Sequence, residues 1–219
     1  MDTLDSDSLY EERGGVTFCR PILQGDIFEG VVLPGFGDQT HRVQIVTHPC
    51  SMRRGPVMNE RIQVAPVVGY QNVTDWNEHV RTQPLPDLLE DGQAHATRFV
   101  DMTAVSAAAL TLENRIASLS HPGIHVLQQR LVKHWTRLDL PVRLFREQSA
   151  PTLTEAEMQE TWVELALGGR VADVGAVESA AGRFQAWLDE NNKERRTLLQ
   201  NEANHAALRK AVRAEATAP

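Results

Sequence analysis

Three short segments rich in β-branched residues lie in the first third of the chain and are separated by glycine and proline. They are "GDIFEGVVL" at 25–33, "RVQIVTH" at 42–48 and "RIQVAPVV" at 61–68. Runs of this length and composition, bounded by turn residues, are typical of strands. The segments therefore predict three strands. Pro66, which has no N–H for a sheet ladder, predicts an edge or a bulge in the third strand.

A polar stretch follows at 69–95 and is too long for a hairpin loop, so we expect a short helix within it. Residues 97–102 ("TRFVDM") predict a fourth strand, and residues 109–112 predict a short fifth one.

The second half of the chain has the apolar spacing of helices. One predicted helix starts near Ser120 and Pro122, and five apolar residues share its face: Ile124, Leu127, Leu131, Trp135 and Leu138. A second is predicted to open at Thr152, where Glu155 completes the spacing of a capping box. Residues 179–214 are helical again, and the polar run at 189–196 either breaks this helix or forms a solvated middle.

Strands that precede helices in this order predict an α+β fold, in which a small barrel carries helices at one end. The division that we expect is an acidic lead at 1–24, a barrel domain at 25–145 and a helical extension at 150–219.

The charge of the chain is concentrated at its start. The net charge is −7, from 22 basic and 29 acidic residues, and five of the acidic residues lie within the first twelve positions. The remainder has 22 basic against 24 acidic residues, a net charge of −2. This balance predicts a mobile acidic tail and disfavours nonspecific nucleic-acid binding, which depends on contacts with phosphate. Two cysteines, no apolar leader at the start and no long apolar run predict a cytoplasmic protein.

Four stretches occur in an order and spacing that resemble a known family. They are "GDIF" at 25–28, "HRVQIVTH" at 41–48, "IQVAPVV" at 62–68 and the segment at 99–135 that contains "NRIASLS" and an amphipathic helix. Together, over about residues 25–140, they resemble the PemK/MazF family of bacterial toxin–antitoxin systems. The resemblance implies an SH3-like barrel that ends in an amphipathic helix.

The resemblance also implies two positions for RNA cleavage. The family's arginine near the start of the second strand corresponds to Arg42, and its threonine or serine at the end of the third strand corresponds to Val68. Arg42 has the charge needed to stabilise a phosphorane, but Val68 has no hydroxyl to contact a phosphate or a 2′-OH. The resemblance thus favours the barrel over the nuclease.

The loop after the second strand contains the first candidate site. Cys50 follows His48 and precedes Arg53 and Arg54, and a thiolate beside cations has a lowered pKa and is nucleophilic. His48 is a candidate base, so Arg42 and His48 are the candidate catalytic residues. The alternative is a plain thiol in a loop that leaves a strand.

Arginines on or between these strands form the second candidate site, a basic rim for RNA, a nucleotide phosphate or an acidic partner. The ligand-binding candidates are Arg42, Cys50, Arg53, Arg54 and Arg61. The alternative is a scattered, solvated surface. A basic row on the predicted helix (Arg130, Lys133 and Arg137) has the same two interpretations.

Apolar residues of the last helices form a candidate partner surface, with packing on the barrel as the alternative. They are Phe184, Trp187, Leu188, Leu198 and Leu199. His121 and His125 have helical spacing but no third ligand type nearby, so no metal site and no cofactor is predicted.

Three functions remain open. The first is a PemK/MazF-like barrel that acts as a non-catalytic binding or regulatory module in a toxin–antitoxin or phage-defence type system, with a protein partner or a second copy. The second is an endoribonuclease for single-stranded RNA in which His48 or Thr47 takes a new role beside Arg42. The third is a structural subunit that assembles through 150–219.

Overall fold

The computed structural model describes residues 3–54, 57–71, 74–169 and 173–217, except for the side chain of Arg54. The chain forms two compact units. The first comprises Met1–Val16, Ile22–Met52 and Met58–Glu147, and the second comprises Thr17–Pro21, Arg53–Val57 and Gln148–Pro219.

The first unit is built on an antiparallel sheet that curls into a half-barrel. The strands of the chain are β1 (Tyr10–Arg13), β2 (Ile27–Val32), β3 (Thr40–Ile45), β4 (Arg53–Arg54), β5 (Val57–Met58), β6 (Arg61–Gly69), β7 (Thr82–Leu85), β8 (His95–Arg98), β9 (Thr103–Ser106) and β10 (Arg115–Leu119). Seven of them follow the order β1-β10-β2-β3-β6-β8-β7, and β9 pairs with β6. β4 and β5 form a separate two-stranded ribbon. With the helices below, this confirms the mixed α+β class.

One face of the sheet carries the apolar core of the barrel because side chains alternate along each strand. In β3, Val43 and Ile45 are fully buried in this core. Arg42 and Gln44 therefore lie on the opposite face. The members of the core that are buried are Ile22, Phe28, Val31, Leu33, Val43, Ile45, Met52, Ile62, Val64, Val105 and Leu110.

β6 keeps its pairing with β3 across Pro66, while its other edge changes partner there. Residues 61–64 pair with β9, and residues 67–69 pair with β8. Pro66 lies in the gap between these partners and opposite Val43 of β3. The irregularity that the proline predicts is therefore a change of neighbouring strand.

Residues 82–119 differ from the sequence prediction. The expected helix in the polar stretch is absent from its described residues, and β7 forms instead. The fourth strand ends at Arg98, because residues 99–101 form a 3-10 turn that leads into β9. Residues 107–109 and 112–114 are also 3-10 turns, so the strand expected at 109–112 is not present.

Part of the acidic lead belongs to the sheet. Helix α1 (Ser6–Leu9) leads into β1, which pairs with β10. Leu9 and Tyr10 are buried, and the carbonyl of Leu9 accepts the N–H of Ser120. The expectation of a mobile tail is wrong for this segment. It was based on the acidic charge of the lead and did not consider Leu9 and Tyr10, the apolar residues that anchor it.

The remaining helices are α2 (His121–Thr136), α3 (Val142–Leu167), α4 (Val174–Leu199) and α5 (His205–Glu215). As predicted, the Ser120 side chain caps α2, and Ile124 and Leu127 are fully buried. Trp135 and Leu138, which were predicted on the same apolar face as these two residues, are exposed.

α3 begins ten residues before its predicted start. The helix passes through Pro151 and Thr152, so no capping box forms at that position. α4 is interrupted at 190–193, where Asn191, Asn192 and Lys193 have positive φ, so the polar run breaks the helix. Among the described residues, no helix is both long and apolar enough to cross a membrane.

The helical unit has its own apolar core. The members that are buried are Met158, Trp162, Phe184, Trp187, Leu188, Leu199, Leu208, Val212 and Ala216. The rings of Trp162, Phe184 and Trp187 lie within 6 Å of one another, at centroid separations of 5.9, 5.4 and 5.9 Å.

Candidate functional site

Arg42 lies within β3 and is partly exposed. Its Nε is 4.0 Å from Oε2 of Glu29 on the neighbouring strand β2. The partner of Arg42 across the ladder is Val67 of β6. Arg42 is therefore a cation on the sheet face opposite the barrel core, with a carboxylate beside it.

Val68 lies on the other face of the sheet. Antiparallel partners share a face and consecutive residues alternate, so Arg42 and Val67 point to one side and Val68 to the other. Val68 pairs with Ala96, which has no hydroxyl either. The two positions implied by the resemblance thus do not converge on one phosphate.

A buried polar row beside Arg42 was missed by the sequence interpretation. Thr97 of β8 donates to Oε1 of Gln44 at 2.7 Å, and Nε2 of Gln44 donates to the carbonyl of Gly25 at 3.1 Å. Gln83, the ladder partner of Thr97, is fully buried. Among the described residues, neither polar atom of its side chain has a hydrogen-bond partner.

The row explains why this face of the sheet holds glutamine and threonine. Gln128 of α2 donates to Gln24 at 2.8 Å, and Gln24 donates to the carbonyl of Val46. A polar residue inside an apolar strand is the sequence signal that could have predicted this row, because Gln44 lies between apolar residues in "RVQIV". The row is engaged in holding α2 and the sheet together.

His48 and Cys50 contact each other in the turn after β3. Nδ1 of His48 is 2.9 Å from Sγ of Cys50, and both side chains are exposed. Residues 49–51 form a 3-10 turn that begins with Pro49. Nearby protein atoms displace part of the hydration of His48, and this partial burial lowers its pKa. The imidazole is therefore neutral near pH 7 and can accept a proton.

Thr47 and Arg42 do not join this pair. Thr47 bonds with the backbone of Gln63, whose N–H it accepts at 2.7 Å. Arg42 lies six residues before His48, on the far side of the strand end at Ile45. A shared phosphate site for Arg42, Thr47 and His48 is not formed.

The predicted basic rim is dispersed. Arg61 begins β6, while the partner of Arg42 lies six residues further along the same strand, about 20 Å away in an extended chain. Arg53 lies in β4, and the side chain of Arg54 is outside the described residues. Arg130, expected on a basic helix face, is buried, and its guanidinium donates to the carbonyls of Trp76, His79 and Thr82.

Arg61 lines a shallow groove of the first unit. The groove has a volume of about 310 Å³ and is lined by Val32, Pro34, Glu60, Arg61, Ala104, Val105, Ser106 and Ala109. Arg61 also approaches the carbonyl of Ala104 at 3.5 Å. The volume is at the lower limit for ligand sites, which measure roughly 300–1,000 Å³.

The apolar residues of the candidate partner surface are mostly buried. Phe184, Trp187, Leu188 and Leu199 lie in the core of the helical unit, and only Leu198 is exposed. Their helical spacing is the same for a core and for a surface, so the sequence could not separate the two. The exposed patch expected from these residues is not formed.

The exposed apolar patch lies at the end of α2 instead. Trp135 is 70% exposed and Leu138 is 59% exposed. The Trp135 ring packs edge-on against His134, which packs in the same way on Phe99. We name Trp135 and Leu138 the Trp135 surface.

The turn that carries the Trp135 surface is held in place. Gln129 donates to the carbonyl of Leu140 at 2.7 Å, and Lys133 forms an ion pair with Asp139 at 2.8 Å. Arg137 has a positive φ of 64° and ends α2. A non-glycine residue in this conformation is strained, so the surrounding contacts fix the turn. Trp135 and Leu138 are thus presented in one arrangement.

In the described ranges, no group of three or more His, Cys, Asp or Glu side chains is arranged to hold a metal ion, at His121 and His125 or elsewhere. His125 is buried, and desolvation lowers its pKa to about 4, with smaller contributions from His121 and Arg146.

No family model matches this sequence, and no curated protein matches it either.

Proposed function

We propose that this protein is a non-catalytic binding or regulatory module built on a PemK/MazF-like, SH3-like barrel. Its setting is the cytoplasm of a bacterium, in a toxin–antitoxin or phage-defence type system, and its partner is a protein. The observation that carries the binding role is the Trp135 surface, an exposed tryptophan and leucine on a turn fixed by hydrogen bonds. Tryptophan is among the residues that most often dominate binding energy at protein interfaces.

The charges near the Trp135 surface favour an acidic partner. Arg137 and Arg143 are exposed in the turn after α2 and in the first turn of α3. They form a basic rim that is close in sequence to Trp135 and Leu138, on a chain whose net charge is −7. An amphipathic acidic segment, such as the tail of an antitoxin-like protein, would place apolar side chains on Trp135 and carboxylates on the rim.

The arrangement of Arg42 and Val68 supports the absence of nuclease activity. The two positions face opposite sides of the sheet, and Glu29 lies beside Arg42. A 2′-OH nucleophile needs a base and a cation at one place. The endoribonuclease alternative would require His48 or Thr47 to meet Arg42, and each of them has other contacts.

Cleavage is tested with purified protein and single-stranded RNA in the absence of metal ions. We expect no products from the wild-type chain, and none from Val68→Thr, because the restored hydroxyl would still point away from Arg42. Metal-independent cleavage that disappears in Arg42→Ala would overturn the non-catalytic proposal and favour the endoribonuclease.

Binding is tested with the protein encoded next to this one, by calorimetry and by mass in solution. We expect Leu138→Ser to weaken the complex at least about 10-fold, as is typical of a residue at the centre of an interface. Leu198→Ser is the matched control, because it removes an exposed leucine from the helical unit. A loss in Leu198→Ser with none in Leu138→Ser would contradict the Trp135 surface and favour a structural subunit that assembles through its helical extension.

A further inference from the structure

The contact between His48 and Cys50 brings together a nucleophile and a base on the surface of the barrel unit. Sγ of Cys50 lies 2.9 Å from Nδ1 of His48 and 3.9 Å from Oγ of Ser51. Both side chains of the pair are exposed, so a reagent in solution can reach the sulfur. Thiols become nucleophilic when a neighbouring group takes their proton.

The geometry assigns the direction of proton transfer. Nδ1 of His48 also accepts the backbone N–H of Cys50 at 3.4 Å. In the tautomer that accepts this bond, Nδ1 carries the lone pair and Nε2 carries the ring hydrogen, and the N–H of Cys50 and its thiol share that one lone pair. The lowered pKa of His48 agrees with a neutral ring that is able to accept this proton.

The turn holds the pair in this arrangement. Pro49 opens the 3-10 turn between the two residues and has a fixed φ. Asn59 fixes the far end, because its side chain donates to the carbonyl of Ser51 at 2.6 Å and its N–H donates to the carbonyl of Met52 at 2.8 Å. The backbone of the turn that carries both side chains is thus fixed at both ends.

The other cysteine is not available to a reagent in the same way. Cys19 is buried, and Cys50 is exposed. A small disulfide in solution can therefore reach Cys50 and is excluded from Cys19 in the folded chain. Cys50 is therefore the cysteine that disulfides of a thiol–disulfide pool would modify.

We propose that Cys50 is a site of reversible modification by low-molecular-weight disulfides such as oxidised glutathione, with His48 as the base. The Cys50 sulfur attacks one sulfur of the reagent, a new S–S bond forms, and the S–S bond of the reagent breaks. The thiol proton passes to Nδ1 of His48 and then to the departing thiolate. Cys50 is oxidised, half of the reagent is reduced to a thiol, and a second thiol reverses the reaction.

The test is the rate of mixed-disulfide formation in the full-length chain carrying Cys19→Ser. An excess of an aromatic disulfide reagent that releases a coloured thiolate reports the rate at pH 7, and intact mass confirms one added group with oxidised glutathione. We expect His48→Asn to slow the reaction about 10-fold, less than the roughly 10²–10⁴-fold typical of a positioned base, because a few per cent of a thiol is already ionised at pH 7. His41→Asn is the matched control, because His41 lies in β3, seven residues before His48, and its loss should leave the rate unchanged.

Three outcomes would overturn the proposal. The first is an equal rate in His48→Asn and its parent while circular dichroism shows that both are folded. The second is a parent that reacts no faster than free cysteine at the same pH. The third is a reaction that persists in Cys50→Ser of this background, which would assign the signal to another group. None of these results depends on RNA cleavage or on the partner protein, so the proposed function is tested separately.

Discussion

Asp26 and Arg115 form an ion pair inside the first unit, with side-chain exposures of 1% and 0%. Nη1 of Arg115 is 2.9 Å from Oδ2 of Asp26, which also accepts the N–H of Leu23 at 3.0 Å. A buried pair contributes little net stability relative to apolar side chains, but the loss of one partner leaves a charge without compensation. Each residue of the pair therefore needs the other.

We expect Asp26→Asn to lower the free energy of unfolding by about 3–5 kcal/mol, because Arg115 remains buried and charged. Urea denaturation measures the change. The matched control is Asp101→Asn, which breaks the more exposed 3.0 Å pair with Arg98 and should cost about 0–1 kcal/mol. Equal losses in the two variants would contradict the role assigned to the buried pair.

His125 makes the stability of the first unit sensitive to acid. Its pKa is about 4 in the folded chain because burial disfavours the charged ring, and its ordinary value is 6.5. The unfolded chain therefore binds one more proton between these values, so stability falls as the pH drops from 6.5 to 4.

We expect wild-type protein to lose about 2–3 kcal/mol more than His125→Gln between pH 7 and pH 4. Urea denaturation of both proteins at the two pH values measures this difference. Comparing the losses removes the effect of other groups that titrate in acid. An identical loss in the variant would mean that His125 is not the source of the acid sensitivity.

The contact of helix α2 with α1 depends on a glycine. A Cβ atom on Gly123 would overlap the carbonyl oxygen of Leu9 and lie 3.2 Å from Cβ of Leu119. The same carbonyl accepts the N–H of Ser120, so the backbone of the acidic lead cannot simply withdraw. The start of α2 and the end of α1 thus pack without space for a methyl group.

We expect Gly123→Ala to lower the melting temperature, at a cost of about 1–3 kcal/mol for the overpacked contact. Gly182→Ala is the matched control, because Gly182 is an exposed position in α4 where an added Cβ atom would meet nothing within 4 Å. The control should stabilise the chain by about 0.5–1 kcal/mol through helix propensity. Stabilisation by both changes would show that α1 does not pack there.

Elements with a local signal were predictable, and elements set by distant contacts were not. β2, β3 and β6 have β-branched residues between glycine and proline, and the α2 cap is encoded by Ser120 itself. β7 has no such signal, because Thr82–Leu85 contains glutamine and proline and forms a strand by pairing with β8. Helical spacing likewise put Trp135 and Trp187 on apolar helix faces, and it could not show that Trp135 is exposed and Trp187 is buried.

The residues of the candidate site could be predicted from the sequence, but their arrangement in space could not. The sequence places His48 two residues before Cys50, and residues two apart in a strand share a face but lie about 6.5 Å apart. The 3-10 turn begun by Pro49 replaces the extended backbone there, and the two side chains meet at 2.9 Å. Conversely, the alternation that holds within β3 and β6 separates Arg42 from Val68.

The charge of the whole chain opposes the approach of nucleic acid. The net charge is −7, and Arg42, the cation with the strongest family resemblance, has Glu29 at 4.0 Å. Nonspecific affinity for RNA comes from phosphate contacts that release counterions, so it requires several unpaired cations in one region. Arg42 and Arg61, whose positions on the sheet are six residues of strand apart, do not provide such a region.

We expect no saturable binding of a labelled single-stranded RNA below about 10⁻⁴ M protein at physiological salt, measured by fluorescence anisotropy. Glu29→Gln is the decisive variant, because it removes the carboxylate beside Arg42 and leaves the rest of the field unchanged. If a single arginine without its neighbouring carboxylate is not enough to bind phosphate, Glu29→Gln also fails to bind the RNA. Lowering the salt concentration then raises the affinity only slightly. The opposite result would be micromolar binding by the wild-type chain that is lost in Arg42→Ala, with a dependence of the binding constant on salt that corresponds to several phosphate contacts. That result would place RNA on this face of the sheet.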